Sequence, residues 1–98
     1  MHAAAVEFDL HIPECRSLKA KRAVVKPLVE GLRRRFRVAV AEVGYLDQWQ
    51  RSAVGVATVA ATPGHATDVL DEVERFVWSN PEVQVLSATR RWIDGEEA

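Results

Sequence analysis

From Val6 to Ile12 apolar and polar residues alternate without a break, with Val6, Phe8, Leu10 and Ile12 on one parity and Glu7, Asp9 and His11 on the other. A period of two predicts a strand with one buried face. Pro13 closes it, and Ser17 is placed to cap a helix by accepting a backbone N–H from the next turn. Leu18, Val25, Leu28, Val29, Leu32 and Phe36 then recur at helical spacing and form one apolar stripe along "LKAKRAVVKPLVEGLRRRF". Pro27 removes the hydrogen bond to Ala23 and crowds that carbonyl, so a kink is expected there, and Gly31 weakens the helix further.

Two more apolar runs, about 37–44 and 52–60, read as an antiparallel hairpin whose tip holds "DQWQR". Thr62 followed by Pro63 is a cap with a first-turn proline, and Ala66, Val69, Leu70, Val73, Phe76 and Val77 make a second helical stripe that Asn80 and Pro81 stop. The last run, "EVQVLSATRRWI", reads as a fourth strand that frays into a tail, 94–98, expected to be disordered. No linker or repeat divides the chain, so 1–98 is expected to be one domain. The order βαββαβ predicts a ferredoxin-like α+β sandwich, a four-stranded antiparallel sheet with two helices on one face. The other face is then uncovered. The hairpin carries small, mostly apolar residues on both parities: Val38 and Val40 against Ala39, Ala41 and Val43, then Val54 and Val56 against Ala53, Ala57 and Val59. A second copy of the chain is the simplest cover, and a homodimer is expected.

Composition narrows the field. No apolar run approaches the ~20 residues that a bilayer span requires, and no basic region precedes an apolar stretch at the N-terminus, so neither membrane insertion nor a secretory signal is expected. The single cysteine, Cys15, excludes an internal disulfide and a CxxC site, which agrees with a reducing, cytoplasmic setting. Glu7, Asp9 and His11 share a strand face, but no second histidine stands at a metal-binding spacing, and the simpler reading is a wet sheet face. With no GxGxxG, Walker or GxSxG pattern, no catalytic residue, metal or cofactor is expected.

Charge points elsewhere. The net charge is only −1, yet nine of the thirteen Lys and Arg residues lie between Arg16 and Arg37, where Glu30 is the one acid. That asymmetry concerns partners and not the fold. Lys19, Arg22, Lys26 and Arg33 fall in one band of roughly 60° beside the apolar stripe, because spacings of three, four and seven stack side chains on a helix face. Such a row can track a phosphate backbone. The plainer alternative is a solvated flank whose last-turn arginines, Arg33, Arg34 and Arg35, complement the helix dipole. At the hairpin tip, Tyr45, Asp47, Trp49, Gln50 and Arg51 combine residue types found in interface anchors, and Trp or Tyr can stack on bases while Arg grips phosphate. In the plainer alternative Trp49 folds over the end of the core and Asp47 pairs with Arg51. The middle strands lack the aromatics of an RNA-recognition motif, so any RNA contact is expected through the first helix and the tip, not the sheet.

The segments "RSLKAKR" (16–22), "AEV" (41–43) and "DQWQR" (47–51) together resemble the YlxP-like family of bacterial domains, over nearly the whole chain from Val6 to about Arg91. Ser17, Lys19, Lys21, Arg22, Asp47, Trp49, Gln50 and Arg51 match its motifs. Ala20 stands where members commonly carry Glu, which removes a capping box, and many members have another residue in place of Cys15. The resemblance implies a ferredoxin-like fold and a gene often found beside those of a translation initiation factor and a ribosome-maturation factor. It implies no catalytic residues. The combined expectation is a non-enzymatic accessory protein that binds RNA or a ribosomal particle through Lys19, Arg22, Lys26, Arg33 and Arg51. The alternatives are a protein-interaction module docking through the tip and a small-molecule-binding regulatory domain.

Overall fold

The computed structural model describes residues 1–93; the expected disorder of 94–98 lies outside the described residues. The alternating segment forms strand β1 (His2–His11), which begins four residues earlier than the strict alternation because Ala3, Ala4 and Ala5 also pair with the next strand in space. After Pro13, Ser17 caps helix α1 (Leu18–Phe36), its hydroxyl accepting the Ala20 N–H at 3.0 Å. The helix runs through Pro27 as one element. Strand β2 (Ala39–Gly44) and strand β3 (Arg51–Ala60) form the hairpin, helix α2 (Pro63–Trp78) starts from the Thr62 cap, and strand β4 (Gln84–Trp92) ends the fold.

All pairings are antiparallel and the sheet order is β2-β3-β1-β4, which gives the expected ferredoxin-like sandwich. Helix α2 covers β1, β3 and β4, while α1 packs over β2 and against α2. The core lies between helices and sheet. Val6, Phe8, Leu10, Val54 and Val56 from the sheet meet Val25, Leu28, Leu32, Leu70, Val73 and Val77 from the helices, and all are buried. Truncating a fully buried aromatic such as Phe8 to Ala would cost about 3–5 kcal/mol. The opposite sheet parity has no covering element among the described residues, and Val43 and Val59 are exposed on it.

Two glycines have packing reasons that periodicity does not reveal. A Cβ on Gly31 would meet Phe76 Cζ at 3.1 Å, so the residue that weakens α1 locally lets it approach α2. There Phe76 meets Phe36 edge to face, with ring centroids 5.7 Å apart, and the Arg35 guanidinium lies over both rings. Gly44 sits where β2 bulges against β3, and a Cβ there would come within 3.0 Å of the Ala53 Cβ.

α1 ends on Arg37, which takes the left-handed conformation at φ 54° while its N–H closes on the Arg33 carbonyl at 3.1 Å. A side chain in that region is strained by about 1–2 kcal/mol, and glycine is not. Arg37→Gly is therefore expected to raise stability by about 0.5–1 kcal/mol, read as a melting-temperature increase of several degrees. A decrease would show that the Arg37 side chain contributes more than its backbone costs.

Candidate functional site

The apolar stripe of α1 contains one interruption. Counting from Leu18, the buried positions run 21, 25, 28 and 32, and position 21 is a lysine only 2% exposed. An ammonium taken out of water costs several kcal/mol unless it is paired and hydrogen-bonded. Lys21 Nζ meets Glu42 Oε2 of β2 at 2.8 Å and donates to the Tyr45 carbonyl at 2.6 Å. The same Glu42 oxygen accepts the hydroxyl of Ser52, itself fully buried on β3, at 2.8 Å. Helix, edge strand and hairpin turn thus converge on one polar cluster beneath α1.

This cluster holds the base of the hairpin tip. The Tyr45 carbonyl also accepts the Gln48 N–H at 3.0 Å, which closes the turn, and Tyr45 itself sits at φ 58°. Arg51 stacks on its ring at 4.4 Å and donates to its hydroxyl at 3.0 Å. Arg51 also grips both Asp9 oxygens, each 2.9 Å from Nη2, and those hydrogen bonds hold its guanidinium above the ordinary arginine range. Gln50 ties the other side: its backbone carbonyl accepts the Ile12 N–H at 2.9 Å, and its amide donates to the Pro13 and Cys15 carbonyls. Burial there pushes the Cys15 thiol up, Glu82 adds to the effect and Lys21 opposes it.

Trp49 stands at the outer end of this braced loop and is 52% exposed, so it is no lid on the core. The alternative pairing of Asp47 with Arg51 is not what forms. Asp9 lies diagonally across the β1–β3 pairing from Arg51 and takes its place, and Asp47 is exposed. On the charged side of α1, Lys19, Arg22 and Lys26 are exposed, and none pairs with a carboxylate among the described residues. Arg33 differs, with Glu30 3.1 Å away and the Val40 carbonyl accepting from it at 3.0 Å. On α2, Asp71 and Glu74 both bind Arg90 of β4, at 2.7 and 2.6 Å. Glu7, Asp9 and His11 hold no metal cluster among the described residues; His11 hydrogen-bonds Gln84.

Between α1 and the edge strand β2 lies a groove of about 310 Å³. Lys21 and Glu42 line it together with Val25, Val29 and Leu46, and Arg22, Lys26 and Arg33 add cations to the same lining. Lys19 is not part of it, and Tyr45, Trp49 and Arg51 lie outside at the tip. Spacing alone assigned no role to Lys21, Glu42 or Ser52. The available signal was the position of Lys21, three residues after Leu18 and four before Val25, where the stripe requires a buried side chain.

Residues 3–90 match the family described as protein of unknown function DUF503. The chain is 34% identical over 86 residues to the uncharacterized protein YlxP of Bacillus subtilis (strain 168), covering 88% of this chain and 94% of that protein. Among solved structures it resembles a de novo designed protein with ferredoxin fold, with a TM-score of 0.54 and 14% identity over 100% of this chain and 89% of the design. That likeness concerns the fold alone.

The buried pair makes an asymmetric prediction. The Lys21 side chain is 3% exposed and that of Glu42 24%, so orphaning the lysine is the more severe change. Glu42→Ala is expected to cost about 3–5 kcal/mol in urea unfolding, and Lys21→Met clearly less, since Met fills the same volume and Glu42 can hydrate. Equal losses, or a Glu42→Ala loss below about 1 kcal/mol, would mean that the pair is not what holds β2 to α1.

Proposed function

The chain belongs to the DUF503 family, and from that premise we propose that it is a non-enzymatic accessory protein binding RNA, free or within a ribosomal particle, through α1 and the hairpin tip. The observation that carries this reading is the outward row Lys19, Arg22 and Lys26, without a carboxylate partner among the described residues, beside a groove that Arg33 extends. A polyanion gains from such a row by releasing condensed counterions, and cations gathered on one flank of a chain with net charge −1 offer it a local positive surface. The half-exposed Trp49 and Tyr45, on a loop braced at three points, add aromatic surface on which an unpaired base can stack. Arg51 supports this loop through Asp9 and Tyr45, so its contribution is to tip rigidity more than to phosphate contact.

Titration of labelled ribosomal RNA over a range of salt concentrations tests the proposal. Log affinity should fall by about 0.7–0.9 per phosphate contact for each tenfold rise in salt, and three to four contacts give a slope of roughly −2 to −3.5. The double reversal Arg22→Glu with Lys26→Glu should remove most binding with the melting temperature unchanged. A flat salt dependence, or full binding by the reversed protein, would end this reading.

A second copy on the open sheet face is favoured by the exposure there of Val43 (54%) and Val59 (65%), flanked by small residues such as Ala39 and Ala41. Sedimentation equilibrium should then find a dimer that Val59→Glu dissociates; a monomer across the accessible concentration range contradicts it.

A further inference from the structure

A simple phosphate track does not account for the carboxylate in the cationic groove. Glu42 lines the groove, and its side chain remains 24% exposed. Its Oε2 is occupied by Lys21 and Ser52, each at 2.8 Å, whereas Oε1 accepts no hydrogen bond from a described residue. An oxygen carrying negative charge repels phosphate, so the part of an RNA that faces it must be a hydrogen-bond donor. Donors in RNA lie on the base edges and the 2′-hydroxyls.

Among the four bases, guanine alone presents two neighbouring N–H groups, N1–H and N2–H, on its Watson–Crick edge, with the O6 acceptor beside them. Adenine and cytosine each set one amino group next to a bare ring nitrogen, and uracil sets one N–H between two carbonyls. The groove can complement the guanine edge: the two lone pairs of the unshared Glu42 Oε1 can accept N1–H and N2–H together, where any other base gives it one N–H. Next to it Lys21 has three ammonium hydrogens, of which the Glu42 ion pair and the Tyr45 carbonyl take two, leaving one for O6. Val25, Val29 and Leu46 supply apolar surface for the faces of a base, and a volume of about 310 Å³ is at the small end of ligand pockets, so it suits one base and not a helix. In a duplex the same edge is occupied by the pairing base.

We infer that the groove between α1 and β2 holds a single unpaired guanine of the bound RNA, with its Watson–Crick edge on Glu42 and Lys21 and its neighbouring phosphates on Arg22 and Lys26. The inference rests on the RNA-binding reading above and adds a base preference to it.

Fluorescence anisotropy with short oligouridine strands that carry one central G, A or C, or none, tests it. The strand with G should bind about tenfold tighter than the others, the discrimination typical of a good base-edge contact, and annealing it to a complement should abolish the advantage. Glu42→Gln should bring the four strands to within about twofold, the remaining phosphate contacts being blind to sequence. Because that variant disturbs a buried pair, Val29→Phe provides a second check: it fills the groove from the flank of α1 without touching the Lys21–Glu42–Ser52 contacts, and it should erase the preference equally. Equal binding of all four strands by the unaltered protein, or a preference that survives both variants, overturns the guanine assignment and leaves RNA binding standing. Failure to bind these strands and ribosomal RNA alike removes both.

Discussion

A lysine placed inside the apolar stripe of a helix constrains everything around it. The Lys21 ammonium stays buried only where Glu42 and the Tyr45 carbonyl meet it, so α1 can rotate against β2 in one way alone. That rotation decides which residues look outward. With side chains advancing 100° per residue, fixing position 21 inward turns 19, 22 and 26 to the flank, where they line up as exposed cations. The same side chain anchors the turn from which Trp49 projects. One buried contact therefore sets both the cationic row and the tip, and the groove between them is its direct result.

Part of the acid that could neutralise the cationic flank is already paired elsewhere. Two of the four acids of α2, Asp71 and Glu74, are taken up by Arg90 on β4. β4 and β2 are the two edges of the sheet, three inter-strand spacings apart. At about 4.8 Å per spacing this is roughly 14 Å, beyond the screening length of about 8 Å at physiological salt. A nearly neutral chain can thus show a polyanion a positive face.

Much of the fold is legible in the sequence because each element carries its own punctuation. The alternation around Phe8, the Ser17 and Thr62 caps and the two helical stripes all depend on residues near in sequence. The site is less legible because its contacts join residues far apart. Asp9 finds Arg51 only once β1 and β3 have paired in register, and the nearer Asp47 is the partner that spacing suggests. Lys21 reads as one more cation in a basic helix until its place in the stripe is counted. Glu42 is a single acid in an apolar edge strand, and only the packing of α1 gives it a partner. The motif segments "RSLKAKR", "AEV" and "DQWQR" contain Lys21, Glu42 and Arg51, whose contacts reach outside each segment.

We propose that the flank of α1, the groove and the tip form one RNA-binding surface in which the open sheet face takes no part. Mapping backbone amide shifts by nuclear magnetic resonance during titration with a single-stranded RNA tests it most directly. Changes are expected to concentrate in residues 16–37, in β2 and in residues 45–51, with Ala5, Glu7, Gly55 and Thr89 on the open face little affected. Changes centred on those open-face residues, with α1 silent, would contradict it.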